Sequence, residues 1–212
     1  MSASTGRVNV IDHPLLAVKL SILRAKETPP EEFRRGVQEM SILLLGEAAR
    51  SWETAPVEIE TPLTKCAAQI LQRPLVIVPI LRAGLGMLEG IVRILPEANV
   101  GHIGLYRDAT TLRPTTYFCR LPAELSEAQV VLVDPMLATG NTACEAVSLL
   151  KKNGAARIQF VCVVACPPGV ERLQSAHADV EIFTAAIDPK LNEFGYIVPG
   201  LGDAGDRYFG TD

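Results

Sequence analysis

A hydrophobic run in the middle of the chain ends on an acid and then turns into residues suited to binding a phosphate. Residues 130–133 are aliphatic, and Asp134 and Pro135 follow. Thr139 and Thr142 add hydroxyl groups beside the unpaired N–H groups of a starting helix, which stabilise a phosphate through hydrogen bonds and the helix dipole. Asp134, at the strand end, can accept hydrogen bonds from sugar hydroxyls. An ordinary strand-to-helix turn capped by threonine explains the same residues nearly as well.

A second anion site is indicated by an arginine that follows another hydrophobic run. Residues 76–81 are apolar, Arg82 comes next, and Gly84 and Gly86 follow it. Burying an isolated guanidinium without an anion is costly, and glycines let the backbone approach such an anion closely. The spacing therefore predicts an anion-binding loop around Arg82.

Arg107 is a candidate for the same chemistry on weaker grounds. It lies near Asp108, Arg113 and Arg120, between two short β-rich runs. Charged residues in such a place are also typical of an exposed hairpin that binds nothing, so both interpretations stay open.

Residues 195–206 form a glycine-rich segment that no regular element tolerates. We expect a loop there, whose backbone polar groups need partners. Tyr208 and Phe209 follow it and are expected to hold the loop against the body of the protein.

The rest of the chain must supply the elements that position these segments. Two helices are predicted within about residues 12–51, the first capped by Asp12 and the second by the capping-box pair Thr28 and Glu31. Further on, β-rich runs alternate with helical ones, and the apolar runs suit strands covered on both faces by helices. The pattern predicts an α/β fold with a largely parallel sheet, in which ligands bind beyond the carboxyl ends of the strands. Strands are predicted at 75–80, 100–106, 115–120, 130–133, 158–165 and 180–183, and helices at 87–95, 142–153 and 170–176.

Length and composition narrow the class of protein. A chain of 212 residues fits one domain, and a net charge of −4 argues against nucleic acid or an anionic membrane as the main partner. No apolar run reaches the ~18 residues of a membrane span, and the first thirteen residues carry no secretory signal. The odd number of cysteines, without CxxC spacing, favours free thiols over disulfides or zinc, so we expect a cytoplasmic protein. The five are Cys66, Cys119, Cys144, Cys162 and Cys166.

Four of the segments resemble motifs of the uracil phosphoribosyltransferases, a branch of the type I phosphoribosyltransferases. Residues 134–140 (DPMLATG) are similar to the single-acid form of the phosphoribosyl-pyrophosphate loop. Residues 79–86 resemble the pyrophosphate loop, residues 106–114 the mobile arm, and residues 195–206 the uracil-binding loop. The motifs occur in the family's order, and the resemblance runs from about His13 to Gly210.

The resemblance implies a single phosphoribosyltransferase domain over residues 1–212. Its expected parts are N-terminal helices at about 12–51, a β-hairpin arm at about 100–120 and a C-terminal uracil loop at 195–206. The implied reaction converts uracil and phosphoribosyl pyrophosphate to UMP and pyrophosphate in pyrimidine salvage. In that reaction the sugar becomes cation-like and the leaving diphosphate gains negative charge, so the catalyst's main task is electrostatic.

The family pattern also assigns roles to individual residues. Arg82, Arg107 and Asp203 are expected to be catalytic, with Asp203 reaching Mg²⁺ through the metal's water shell. A strained or cis peptide is expected at Leu81–Arg82 or Arg82–Ala83. Main-chain groups of Ile197, Gly202, Asp203 and Ala204 are assigned to uracil. The residues assigned to phosphoribosyl pyrophosphate are Arg82, Arg107, Asp134, Pro135, Met136, Leu137, Ala138, Thr139, Gly140, Asn141, Thr142 and Asp203.

Several points stay open at this stage. Family members commonly have glycine where this chain has Asn141, which puts the phosphate affinity of the loop in question. The family pattern implies a homodimer or homotetramer and GTP as an effector, and the apolar faces of the first two helices suggest contact with a second subunit. The competing function is a nucleotide-sensing RNA-binding pyrimidine regulator of the same fold. A catalytically inactive relative is a third possibility, although it would be expected to lack Arg82, Asp134 or Asp203.

Overall fold

The structure is a computed structural model that describes residues 7–107 and 114–211, and of Arg107 and Pro114 only the backbone. Helices and strands alternate along most of this length. The strands are β1 (Val8–Val10), β2 (Thr54–Glu60), β3 (Lys65–Leu71), β4 (Leu75–Leu81), β5 (Asn99–Val100), β6 (His102–Arg107), β7 (Pro114–Arg120), β8 (Gln129–Val133), β9 (Met136–Leu137), β10 (Arg157–Ala165), β11 (Glu181–Ile187), β12 (Lys190–Leu191) and β13 (Ile197–Val198). The helices are α1 (Pro14–Arg24), α2 (Pro30–Ala48), α3 (Gly84–Ile94), α4 (Asn141–Lys152), α5 (Pro167–Ala176) and α6 (Ala204–Phe209), with a 3₁₀ turn at Ala49–Ser51.

One large sheet forms the centre of the described chain. Its strands lie in the order β1-β11-β10-β8-β4-β6-β7, with β5 beside β4 and β9 beside β10. All pairs in it are parallel except β6 with β7, which is antiparallel. The expected largely parallel α/β fold is therefore confirmed.

Helices cover both faces of this sheet. Helices α1, α2, α3 and α6 pack on one face, where α2 buries Phe33, Val37, Met40 and Leu44 in a stripe of helical spacing. Helices α4 and α5 cover the opposite face. Strands β4, β8 and β10 are consequently buried along almost their whole length, which explains why their sequences are apolar throughout.

The predicted strands and later helices are present, with ends that differ by a few residues. The strand expected at 100–106 is divided into β5 and β6, and the one expected at 180–183 extends to Ile187. The helix expected from residue 170 already begins at Pro167, because proline is well tolerated in a first helical turn.

The predicted caps of the first two helices are wrong. His13, not Asp12, caps α1, since its side chain accepts a hydrogen bond from the N–H of Leu15. Helix α2 begins at Pro30 after Pro29, and no side chain caps it. Thr28 instead donates its hydroxyl hydrogen to the carbonyl of Ile22.

A hairpin that the sequence pattern did not reveal stands apart from the main sheet. Strands β2 and β3 pair antiparallel over seven residues each, from Thr54 opposite Leu71 to Glu60 opposite Lys65. Most of its residues are exposed on both faces, and the side chain of Leu63 at its tip is 95 % exposed.

The five cysteines are free thiols, as expected. Among the described residues, no helix combines the length and the apolar character needed to cross a membrane.

Candidate active site

Three of the predicted segments meet at one edge of the main sheet. Strand β4 ends at Leu81 directly before Arg82, and β8 ends at Val133 directly before Asp134. Since β4 and β8 are parallel neighbours, these two residues lie at the same edge. Residues of the segment 195–205 line a cavity of about 240 Å³ at this edge, together with Ala83 and Asp134. Its lining consists of Ala83, Asp134, Met136, Ala138, Gly195, Tyr196, Ile197, Gly202, Asp203, Ala204 and Gly205.

The segment after β8 bends as its sequence indicates. Asp134 Oδ1 accepts a hydrogen bond of 3.2 Å from the N–H of Met136, which fixes the carboxyl group at the turn. Strand β9 then runs beside β10, and Gly140 adopts a left-handed conformation with φ of 79°. Helix α4 starts at the next residue, Asn141. Because Asn141 is helical, glycine is not required at this position to provide a positive φ.

Asp134 is in an unusual electrostatic environment for a carboxyl group. Burial raises its pKa to about 7, the hydrogen bond from Met136 N–H opposes that shift, and the charge of Asp203 adds to it. The carboxyl group therefore changes charge near neutral pH, beside the cavity.

Arg82 is more exposed than the sequence suggested. Its side chain is 57 % exposed, and its Nη2 lies 3.1 Å from Asp206 Oδ1. The guanidinium carbon also lies 5.6 Å from the ring centre of Phe209. The expected cis peptide is found at Leu81–Arg82. Asp206 and Phe209 were not predicted as partners of Arg82, because both are far away in the sequence, Asp206 by 124 residues, and such a separation leaves no local signal.

The C-terminal segment is more ordered than the predicted loop. It contains β13, the cis peptide Val198–Pro199 and the start of α6, so the expectation that residues 195–206 hold no regular element is wrong. Asp203 is the N-cap of α6, and its Oδ1 accepts a hydrogen bond of 2.9 Å from Asp206 N–H. A side-chain cap compensates for the glycines that otherwise disfavour a helix here.

The predicted anchor Tyr208 is buried, as expected. Its hydroxyl donates to Glu89 Oε2 at 2.9 Å and lies 3.2 Å from Gln38 Nε2, so α6 is attached to both α2 and α3. Phe209 is partly exposed and lies beneath Arg82 instead.

The predicted mobile arm at 106–114 lies largely outside the described residues. Arg107 is the last residue of β6, and its backbone pairs with that of Pro114 in β7. The hairpin predicted at about 100–120 is therefore present up to this point.

Comparison with known proteins identifies the family. A family model described as uracil phosphoribosyltransferase matches residues 10–211. The chain belongs to the uracil phosphoribosyltransferase family. A uracil phosphoribosyltransferase from Dictyoglomus turgidum is 56 % identical over 205 residues, which is 96 % of this chain and 99 % of the relative.

The fold of this uracil phosphoribosyltransferase family member is similar to that of solved phosphoribosyltransferase structures. The AQ2163 protein from Aquifex aeolicus is 36 % identical, with a TM-score of 0.91 over 95 % of this chain and 97 % of its own. A hypoxanthine phosphoribosyltransferase from Staphylococcus aureus is 13 % identical, with a TM-score of 0.50 over 74 % of this chain and 76 % of its own, and shares the fold alone.

The uracil phosphoribosyltransferase motifs differ in how closely they approach the cavity. Residues predicted for both substrates line it together: Asp134, Met136, Ala138, Ile197, Gly202, Asp203 and Ala204. Ala83, next to Arg82, also lines it, whereas Pro135, Leu137 and residues 139–142 are not among its lining residues.

Proposed function

We propose that this chain transfers the phosphoribosyl group of phosphoribosyl pyrophosphate to N1 of uracil, giving UMP and pyrophosphate, as a step of pyrimidine salvage. The observation that carries the proposal is one cavity lined by both the acid that ends β8 and the segment 195–205. Membership of the uracil phosphoribosyltransferase family supports it. That membership also favours the enzyme over the RNA-binding regulator of the same fold.

The phosphate of the substrate is proposed to bind in the turn that leads into α4. The twelve-residue helix begins there at Asn141. Its first N–H groups and the hydroxyls of Thr139 and Thr142 are proposed to donate to that phosphate. The residues proposed to contact phosphoribosyl pyrophosphate remain Arg82, Arg107, Asp203 and the continuous run from Asp134 to Thr142. Helix N-termini stabilise such anions through both hydrogen bonding and the dipole.

Arg82 is proposed to stabilise the charge that builds up on the leaving diphosphate. A guanidinium has five N–H donors, and among the described residues Asp206 accepts a hydrogen bond from just one nitrogen of Arg82, which leaves the fork available to phosphate oxygens. Arg107, at the base of the arm, is proposed to add a second positive charge on closure. Closure of an arm would also exclude water from a cation-like sugar.

Asp134 is proposed to accept hydrogen bonds from the ribose hydroxyls. It can do so fully as a carboxylate, and its pKa of about 7 means that substrate binding favours loss of its proton. Hydroxyl donors on the sugar supply the hydrogen bonds that stabilise the charged form.

Uracil is proposed to be read by main-chain groups of Ile197, Gly202, Asp203 and Ala204. The base presents two carbonyl acceptors and one N–H donor along one edge, which alternating backbone groups can match. Cytosine reverses the polarity at one position and would leave a buried group unpaired, at a cost of about 1–3 kcal/mol.

Mg²⁺ is the proposed cofactor, and the side chains of the cavity fit it. Asp134 and Asp203 both line the cavity, and oxygen donors are the ligands that Mg²⁺ prefers. The ion usually keeps several waters and bridges substrate phosphates, so Asp203 is proposed to hold it through water. When bound, Mg²⁺ would neutralise charge on the diphosphate.

The wider assignments are proposals as well. We propose a single cytoplasmic catalytic domain over residues 1–212 that assembles as a homodimer or homotetramer and responds to GTP. Exposed apolar side chains on α1, at Leu15 and Val18, and on the β2–β3 hairpin, at Leu63 and Ile70, support contact with a second copy.

Formation of UMP from labelled uracil, phosphoribosyl pyrophosphate and Mg²⁺ tests this function. We expect turnover with uracil and little with cytosine, hypoxanthine or orotate, and a loss of at least about tenfold in Asp203→Asn, because a catalytic carboxylate is neutralised. Asp179→Asn is the matched control, since this surface acid pairs with Lys151 away from the cavity. If no nucleotide forms from any of these bases, with or without GTP, the proposed activity is refuted. Salt-dependent binding of RNA would then be the next measurement.

A further inference from the structure

An ion pair between distant parts of the chain lies behind the uracil loop. Arg24, at the end of α1, contacts Asp188, just after β11, through two hydrogen bonds of 2.7 Å each. The side chain of Asp188 is 6 % exposed and that of Arg24 is 24 % exposed. A buried ion pair is weak evidence for stability, because the loss of hydration offsets the attraction between the charges. What else the two side chains contact is therefore more informative.

Both members of the pair also bind the main chain of Gly200. Arg24 Nη1 donates to the Gly200 carbonyl at 3.0 Å, and Asp188 Oδ2 accepts from the Gly200 N–H at 2.8 Å. Gly200 has a φ of 59°, and a Cβ there would overlap the carbonyl of Ile197. The ion pair thus fixes both polar groups of a residue whose backbone any side chain would disturb.

Gly200 lies between the two parts of the loop that line the cavity. Ile197 precedes it by three residues and Gly202 follows it by two, and both are lining residues. Neither Arg24 nor Asp188 is among the described residues that line the cavity, so they act on it through the loop.

A second arginine attaches the same end of α1 to the residues that follow Gly200. Arg207, in α6, donates to the carbonyls of Leu23, Ala25 and Leu201. Its guanidinium carbon lies 4.3 Å from the ring centre of Phe33 in α2. The last turn of α1 is therefore tied to the segment at Gly200 and again at the residues that follow it.

We propose that Arg24 and Asp188 are positioning residues for base recognition, through which the N-terminal helix sets the location of the main-chain groups that read the pyrimidine edge. The inference rests on the proposed function. Recognition by main-chain groups depends on where the loop lies, because no side chain can rotate to restore a lost hydrogen bond. Loosening Gly200 should therefore weaken binding of the base more than binding of phosphoribosyl pyrophosphate.

Steady-state kinetics of Arg24→Lys and Asp188→Asn test the proposal. Lysine cannot contact both carboxylate oxygens and the Gly200 carbonyl as the planar guanidinium fork does. Asparagine has a single acceptor oxygen, so if that oxygen accepts from Gly200 N–H, its NH2 group faces Arg24 Nη2, donor against donor. We expect the KM for uracil to rise about tenfold and the preference for uracil over cytosine to fall, while the KM for phosphoribosyl pyrophosphate stays within about twofold.

Glu39→Gln is the matched control for these variants. It breaks the 2.6 Å ion pair between Lys19 of α1 and Glu39 of α2, which joins the same helix to the body without touching the loop. This variant should keep the parent KM for uracil. Thermal unfolding of all three variants separates lost stability from lost positioning. If Arg24→Lys or Asp188→Asn is insoluble, the same measurements are made on Arg207→Lys, which weakens the other attachment of the loop.

The outcomes distinguish this inference from the proposed function. An unaltered chain that forms no UMP from uracil refutes the function, and the inference with it. An active chain whose variants show an unchanged KM for uracil, or an equal rise in both KM values, refutes the positioning role alone. A drop in unfolding temperature without a change in the two KM values would show that the ion pair stabilises the fold but does not position the loop.

Discussion

Asp134 is suited to bind the sugar only as a charged carboxylate, but burial in the folded protein disfavours that charge. A carboxylate at the end of β8 suits sugar hydroxyls, yet burial raises its pKa from 3.8 to about 7, and the charge of Asp203 acts in the same direction. In the unfolded chain the group ionises near its ordinary value. Between about pH 4 and pH 7 the folded protein therefore holds a proton that the unfolded chain has lost, and the free energy of unfolding falls as the pH rises.

Replacing Asp134 by asparagine should increase stability in a pH-dependent way and reduce activity. Asparagine keeps an oxygen for the N–H of Met136 but carries no charge. Urea denaturation should show a gain over the parent that grows from about pH 5 to about pH 8, because the parent loses stability over that range, whereas UMP formation should decrease. Equal gains at both pH values would show that the pKa of Asp134 is not raised by folding.

Asp179→Asn provides a control of opposite sign. Burial alone would raise the pKa of Asp179, but the hydrogen bond and charge of Lys151 hold it below its usual value. This variant should lose a little stability at both pH values, since the ionised form is the stabilised one and surface ion pairs contribute about 0–1 kcal/mol.

At the level of elements, what the sequence could predict depends on burial. Strands β4, β8 and β10 were predictable because burial on both faces makes them apolar throughout. The β2–β3 hairpin was not predicted. Val57 and Ile59 alternate with acids in β2, but this alternation is short, and β3 carries no matching one. Helix α6 was hidden by the glycines of its segment, since the helix also depends on a tertiary contact, the buried Tyr208 whose hydroxyl donates to Glu89.

The same distinction applies to the candidate site. The residues that line the cavity lie on short local motifs, which a sequence shows directly. The ion pairs that support the site, such as Arg82 with Asp206 and Asp188 with Arg24, join residues that are 124 and 164 positions apart. Only the folded chain brings these pairs together.

The crossing of α2 and α3 supplies a prediction about packing between elements. Gly90 in α3 lies so close to α2 that a Cβ would overlap the carbonyl of Gln38 and the hydroxyl of Ser41. Gly90→Ala should therefore destabilise the protein by about 1–3 kcal/mol through overpacking.

Gly46→Ala in α2 is the matched control, because no atom lies within 4 Å of its added Cβ. It should instead stabilise by about 0.5–1 kcal/mol through the lost backbone entropy of glycine. Denaturant titration of both variants checks the opposite signs, and a stabilised Gly90→Ala would show that the helices are not in close contact.

For the molecule as a whole, the β2–β3 hairpin points to assembly. A two-stranded hairpin on its own is marginally stable in water, and this one leaves Leu63 and Ile70 exposed. At its base, a groove of about 910 Å³ separates it from α2 and α3 and includes Trp52 and Ile94 in its lining. Packing against a second copy would bury this apolar surface and stabilise the hairpin, which supports the proposed homo-oligomer.

Removing the hairpin should convert the oligomer to a folded monomer. The N–H of Gln72 donates to the carbonyl of Glu53 at 3.0 Å, so the two ends of the hairpin are adjacent and a short Asn-Gly turn can replace residues 54–71. The main sheet does not include β2 or β3, and its core should therefore remain intact. Sedimentation equilibrium should give the mass of two or four chains for the parent and of one chain for the shortened protein, with a cooperative unfolding transition in both. Leu63→Ser, at the hairpin tip, should weaken the association without altering the fold. Phe194→Ser, at another exposed apolar position outside the hairpin, should leave the mass unchanged. A parent of one-chain mass, or a shortened protein that keeps the parent's mass, would mean that the hairpin is not the contact between subunits.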